Sequence, residues 1–432
     1  MTTPTLMLLL VTLLTSSGLA WVIQPSYDES AVPDYTLPDP LVTASGEPVA
    51  SAEQWPARRA ELLEIFRDQM FGRMDNATRA AEVRFELIES DEHALDGSAT
   101  RRQVRIHFTA EDDGPAMDLL LFLPNVAQGP MPVFFGMNFD GNHTVHADPA
   151  IALPRGWVRD NDSVGAAENR ASDRGRGVKA GRWPIETILA RGYGFATAYY
   201  GDLDPDFDDG FNNGVHALVA GEYELGRPRD AGGAVAAWAW GYSRALDYLE
   251  TDAAIDATRV IAIGHSRLGK TALWAGANDA RFAMAISNNS GCGGAALSRR
   301  RFGETVFAIN SRFPHWFCGN YHAYNDNESA MPFDQHQLLA LMAPRPVYVA
   351  SAEDDRWADP RGEFLACVHA SPVYDLLGHA GVAADTMPAV NTPLHGGRVG
   401  YHVRTGGHDV TAYDWAQYLD FADRHLEETR SE

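Results

Sequence analysis

A chain of 432 residues with 45% hydrophobic content and ordinary glycine and proline usage has material for a large buried core, which excludes fibrous and disordered classes. A formal net charge of −23 excludes nucleic acid as a natural partner, because phosphate backbones are held by basic surfaces. Three cysteines, Cys292, Cys318 and Cys367, give no full disulfide framework and no metal-ligand spacing; a Cys292–Cys318 pair stays open, and otherwise all three read as small buried apolar residues.

In chain order, a Leu-rich run from Leu6 to Leu14 is followed by small residues ending at Ala20. That pattern is an export signal over 1–20, too short for a spanning helix; its first residues lack Lys and Arg, and an uncleaved anchor is the alternative. The remaining 21–432 is expected to be one secreted or periplasmic domain, a monomer with no membrane segment. Trp21 to about Ser51 is Pro-rich and reads as an irregular lead segment. Trp55 to Met70 has helical spacing, with Leu62, Leu63, Phe66 and Met70 on one face. Val83–Ile88 and Gln103–Phe108 alternate like half-buried antiparallel strands, Met117–Leu123 continues the meander, and Pro132–Asn138 is a continuous apolar strand. A long irregular tract over 139–182 follows, the kind of insertion that often carries function. Pro184–Ala190 reads as helix, Tyr193–Tyr199 as strand, and the acidic GDLDPDFDDGF over Gly201–Phe211 as a solvated loop without calcium-loop spacing. Asp230–Leu249 is a long helix. Strands Val260–Ile263, Ala283–Ser287 and Pro346–Ser351 then alternate with helices, the last being Ala412–His425. Such alternation gives a mostly parallel, doubly wound sheet.

The chemistry centres on Val260–Gly276, VIAIGHSRLGKTALWAG. An apolar strand breaks at Gly264-His265-Ser266-Arg267-Leu268-Gly269 and a helix begins, so Ser266, flanked by glycines, reads as the nucleophile of a G-x-S-x-G elbow. The N–H of Arg267 then faces any oxyanion formed there. Serine needs a base, and the base an orienting acid, in the chain order Ser, acid, His. His408, in the Gly-rich loop before the last helix, has the position of the base, with His395 and His402 as competitors. Glu353, Asp354 and Asp355 follow a late strand, and Asp355 is the expected acid. Asn288 and Asn289, after the preceding strand, offer only amides, which do not offset an imidazolium charge.

The motifs GHSRLGKTALWAGA at Gly264–Ala277, SGCGGAALSRRRFGET at Ser290–Thr305, FPHWFCGNY at Phe313–Tyr321 and SAEDDRWADPRGEF at Ser351–Phe364 resemble those of the bacterial glucuronoyl esterases, carbohydrate esterase family fifteen. The tract Arg182–Asp206 is similar too. The resemblance implies an α/β-hydrolase fold: a three-layer αβα sandwich with a mostly parallel central sheet and antiparallel N-terminal strands. It implies cleavage of the ester between 4-O-methyl-glucuronic acid of xylan and lignin alcohols, without metal or other cofactor. Ser266 matches the nucleophile, His408 the base and Arg267 the oxyanion arginine. Lys270, Glu304 and Trp357 match residues that hold the sugar hydroxyls. One departure stands out: many members carry the triad acid as Glu where this chain has Asn289, and Asp355 fits the place used by others. The run Arg299–Arg301 reads as a solvated patch. Other polysaccharide esterases, of acetyl-xylan or feruloyl type, and a non-catalytic polysaccharide-binding protein are the alternatives.

Overall fold

The computed structural model describes residues 25–127, 129–223 and 226–427. The expected export signal lies outside the described residues.

Among the described residues nine strands form one sheet: β1 (Arg84–Ala94), β2 (Ala99–His107), β3 (Ala116–Pro124), β4 (Met131–Asn138), β5 (Gly194–Tyr199), β6 (Ile255–His265), β7 (Met284–Asn288), β8 (Val347–Ala352) and β9 (Val399–Arg404). Their spatial order is β1-β2-β3-β5-β4-β6-β7-β8-β9. The first three pair antiparallel with one another, and β3 pairs antiparallel with β5. From β5 to β9 every pairing is parallel.

The strand period of two sends successive side chains to opposite faces. In β4, Val133 and Phe135 enter one core with the helices Trp55–Phe66, Ala234–Leu249, Arg267–Asn278 and Pro360–Leu376. Phe134, between them, enters a second core with the helices Ile185–Ala190 and Ala412–Glu427. Apolar burial on both faces is why the central strands read as unbroken hydrophobic runs, and it makes the three layers.

Some expectations change. β1 is an edge strand, so Phe85, Leu87 and Ile88 are exposed rather than half-buried. The segment around His402 reads as loop or edge strand, and it is the edge strand β9, but it is buried along its length, so His402 is not a surface residue. The 139–182 tract is irregular as expected, built from short 3-10 turns, and is anchored by polar side chains: the Asn142 amide donates to Asp118 O at 2.8 Å and Arg176 Nη1 to Ile151 O at 2.6 Å. The arginine run is not a solvated patch. Arg299 donates to Phe333 O at 2.6 Å, Arg300 pairs with Asp359 at 2.8 Å and Glu29 at 2.7 Å, and only Arg301 is exposed. All three cysteines are free thiols, buried as small apolar side chains, so the Cys292–Cys318 pair does not form.

Candidate active site

The ends of β6, β7, β8 and β9 meet where the site residues stand, as expected for a parallel sheet whose loops at the carboxyl ends carry the chemistry. Ser266 follows β6 directly with φ 58° and ψ −126°, a left-handed conformation that costs a non-glycine residue energy and turns strand into helix in one step. Its N–H is fixed by Asn288 O of β7 at 2.8 Å. Gly264 is obligatory: a Cβ there would lie 1.9 Å from Leu268 O. The second glycine departs from G-x-S-x-G. Position +2 is Leu268, fully buried in the core, and the glycine comes one residue later, at Gly269, where a Cβ would press on Ser290 at 3.0 Å. That glycine serves close packing of helix on strand rather than the corner itself.

His408 and Asp355, the expected base and acid, are brought together by backbone. Glu353 N–H donates to Arg404 O at 2.9 Å and Asp354 N–H to Gly406 O at 3.0 Å, tying the loop after β8 to the loop after β9. His408 Nδ1 then lies 2.6 Å from Asp355 Oδ2, and the Asn289 amide donates to the same oxygen at 2.7 Å. Burial pushes the Asp355 carboxyl up, but the His408 hydrogen bond and charge, with the Asn289 amide, outweigh it and hold the carboxyl below its ordinary value. Glu353 and Asp354 point to solvent. The His408 ring packs 4.5 Å, centroid to centroid, from the ring of His265, the neighbour of Ser266. His265 is fixed by Asn288 at 2.6 Å, whose amide reaches the Tyr418 hydroxyl at 2.7 Å. Burial, and then the nearness of His408, drive His265 well below the usual imidazole range, so it is a neutral prop. The competitors are otherwise engaged: His402 is buried against Asp414 at 2.9 Å, and His395 contacts the Tyr348 hydroxyl at 3.1 Å.

On the other flank of Ser266 two opposite charges, Lys270 and Glu304, are buried. Lys270, one turn into the helix, donates to Ser290 O at 2.5 Å and Cys292 O at 2.6 Å, and lies 3.7 Å from Glu304. Burial raises the Glu304 carboxyl, countered in part by Lys270 and by a hydrogen bond from Trp357. Trp357 is half-buried, with the Arg312 guanidinium 5.3 Å from its ring centroid. Arg267 lies among the rings of Phe139, Phe313 and Trp316, 5.7, 5.5 and 4.8 Å from their centroids. All seven expected site residues thus gather around one corner.

Reading Gly201–Phe211 as a solvated loop misses a residue. Asp206 is buried and accepts from Arg267 Nη1, from the Tyr200 hydroxyl at 2.7 Å, from His315 Nε2 at 3.0 Å and from Trp316 Nε1 at 2.7 Å. A signal was present: the aspartates follow a buried parallel strand, where site residues concentrate. The insertion also reaches the site. Arg182 Nε donates to Asp409 at 2.6 Å, beside His408, and Trp415 Nε1 donates to Arg182 O at 2.8 Å.

Fold and corner together define an α/β-hydrolase. Comparison narrows the class. A family model described as fungal glucuronyl esterase matches residues 220–378. The chain is 52% identical over 405 residues to carbohydrate esterase MZ0003 of an unknown prokaryotic organism, covering 93% of this chain and 92% of that one. A solved structure described as a promiscuous CE15 esterase from a marine bacterial metagenome aligns with TM-score 0.86 at 52% identity, over 93% of this chain and 100% of that one. A glucuronoyl esterase from Solibacter usitatus does so with TM-score 0.86 at 50% identity, over 92% and 99%. The chain belongs to the glucuronoyl esterases of carbohydrate esterase family 15, and is a carboxylic ester hydrolase.

Proposed function

We propose that this esterase cleaves esters joining 4-O-methyl-glucuronic acid side groups of xylan to lignin alcohols, through an acyl-enzyme on Ser266. His408 takes the Ser266 proton as the oxygen attacks the uronate carbonyl, and Asp355 holds the imidazole tautomer and balances the imidazolium. Arg267 offers two donors to the tetrahedral oxyanion, its own N–H at the free start of the helix Arg267–Asn278 and its guanidinium. His408 returns the proton to the departing alcohol. Water then attacks the acyl-enzyme with His408 as base again, releasing the uronic acid and restoring the serine. Glu304 accepts hydroxyl hydrogen bonds from the sugar, Lys270 sets the charge of that edge, and Trp357 supplies a ring face or its indole N–H. The Leu-rich opening of the sequence supports export to where such polymers occur.

The observation that carries this reading is the 2.6 Å contact of His408 with Asp355 on a loop packed against the elbow. The test is a panel on purified protein: benzyl and methyl glucuronate esters, methyl galacturonate, acetyl-xylan and feruloyl esters. The expected result is a kcat/KM for glucuronate esters at least tenfold above every other ester. Equal or better turnover of acetyl or feruloyl esters would move the substrate to another polysaccharide ester.

A further inference from the structure

We propose that Asp206 is a positioning residue of the reaction, which aims the Arg267 guanidinium at the oxyanion formed on Ser266; this rests on the oxyanion reading of Arg267 above. Asp206 Oδ2 accepts from Arg267 Nη1 and from the Tyr200 hydroxyl at 2.7 Å, while Oδ1 accepts from His315 Nε2 at 3.0 Å and Trp316 Nε1 at 2.7 Å. Both carboxylate oxygens are therefore doubly occupied. The backbone is pinned as well, since Asp206 N–H donates to Asp204 Oδ1 at 3.0 Å and Asp206 O accepts from Arg159 at 2.6 Å.

The two partners differ in what they present to the site. The Asp206 side chain is 0% exposed, that of Arg267 26%. Only the arginine reaches the open side, so the anion acts on substrate through it. The arginine also needs the anion. A guanidinium in the first turn of a helix is repelled by the dipole, and Lys270 adds a second buried cation one turn on. A free arginine spreads over many rotamers; one anchored at Nη1 and bracketed by Phe139, Phe313 and Trp316 has its remaining donors aimed before the reaction begins. Burial pushes the Asp206 carboxyl up, yet the His315 bond, the Arg267 charge and the other donors bring it down to about 2, so the anchor stays ionised at any working pH.

The experiment is a double-mutant cycle on a methyl glucuronate ester with Asp206→Asn, Arg267→Ala and the double variant, each checked by thermal melting. Arg267→Ala is expected to lower kcat by about 10²- to 10³-fold, the scale of a lost oxyanion donor. Asp206→Asn is expected to lower kcat by roughly 10- to 100-fold with KM within about threefold, and the double variant to be no more than about threefold slower than Arg267→Ala alone. A folded Asp206→Asn enzyme with wild-type kcat, or effects that multiply in the double variant, would overturn the proposal and leave the Arg267 reading intact. An Arg267→Ala enzyme of wild-type rate would overturn the oxyanion reading and the proposal with it. Should Asp206→Asn not fold, Tyr200→Phe removes one donor and keeps the charge; it is expected to lower kcat by about two- to fivefold in wild type and not at all beside Arg267→Ala. An unchanged kcat there would overturn the proposal.

Discussion

The two flanks of Ser266 are built on opposite plans. The flank proposed to handle the proton is open: the His408 side chain is 43% exposed and is oriented by the Asp355 carboxylate and the ring of His265. The charge-holding flank is closed: Asp206, Lys270 and Glu304 are buried, and each is held by several partners. A group that must take a proton from serine and give it to an alcohol needs access and a small reorganisation. A group that stabilises developing charge works best when it does not move at all. The contrast assigns different experimental signatures to the two sides: substitutions on the open flank should change turnover, and those in the sugar edge of the closed flank should change substrate binding.

Between the two flanks, the largest effect is expected at the proposed acid. Asp355→Ala leaves the imidazole without its orienting charge and should lower kcat by about 10³- to 10⁴-fold. Asn289→Ala removes one hydrogen bond to a carboxylate that remains, so steady-state kinetics should register a loss of only about tenfold. The reverse ranking would transfer the acid's role to the end of β7. On the closed flank, Glu304→Gln should raise KM roughly tenfold or more while kcat stays within a few fold, because a charged acceptor for sugar hydroxyls is lost and the acyl-transfer machinery is not. A collapse of kcat at unchanged KM would blur the division between flanks.

The smallest effect lies behind the site. Glu363 accepts from Ser290 N–H at 2.8 Å, Gly291 N–H at 2.9 Å and the Ser351 hydroxyl at 2.6 Å, and so fixes the loop that carries the Lys270 acceptors. Burial raises its carboxyl to about 8, above the ordinary 4.5, so the folded state favours the protonated acid. Stability from this group is present in full below about pH 4.5 and is lost as pH rises through 8. Glu363→Gln has no such loss. Melting curves should therefore show the variant gaining on wild type between pH 5 and 8, by about 1 kcal/mol or more. A constant difference across that range would mean that the carboxyl is not protonated in the folded protein.

Much of this was legible in the sequence wherever the signal is local. β4, β5 and β6 are apolar runs because both of their faces are covered, and the elbow carries its own glycine and a helix start. What escaped depends on partners far along the chain. Asp206 stands in a stretch dense with acids, and its neutralising donors come from Arg267, His315 and Trp316, 61, 109 and 110 residues on. The segment of His402 is buried by a nearer partner, since Asp414 of the following helix receives the histidine at 2.9 Å and Arg404 at 2.8 Å. Arg299 and Arg300 were obscured as Asp206 was, by carboxylates at Asp334 and Asp359. Charge density marks a solvated surface only when its counter-charges are near in sequence. For Asp206, Arg299 and Arg300 they are near only in space.

The most direct test of the account is the attacking oxygen itself. Wild-type protein treated with an organophosphonate ester should take up one equivalent, located by peptide mass spectrometry at Ser266, and lose all turnover of benzyl glucuronate, while Ser266→Ala should neither label nor turn over. Retained hydrolysis by folded Ser266→Ala, or stoichiometric labelling at another residue with loss of activity, would contradict it.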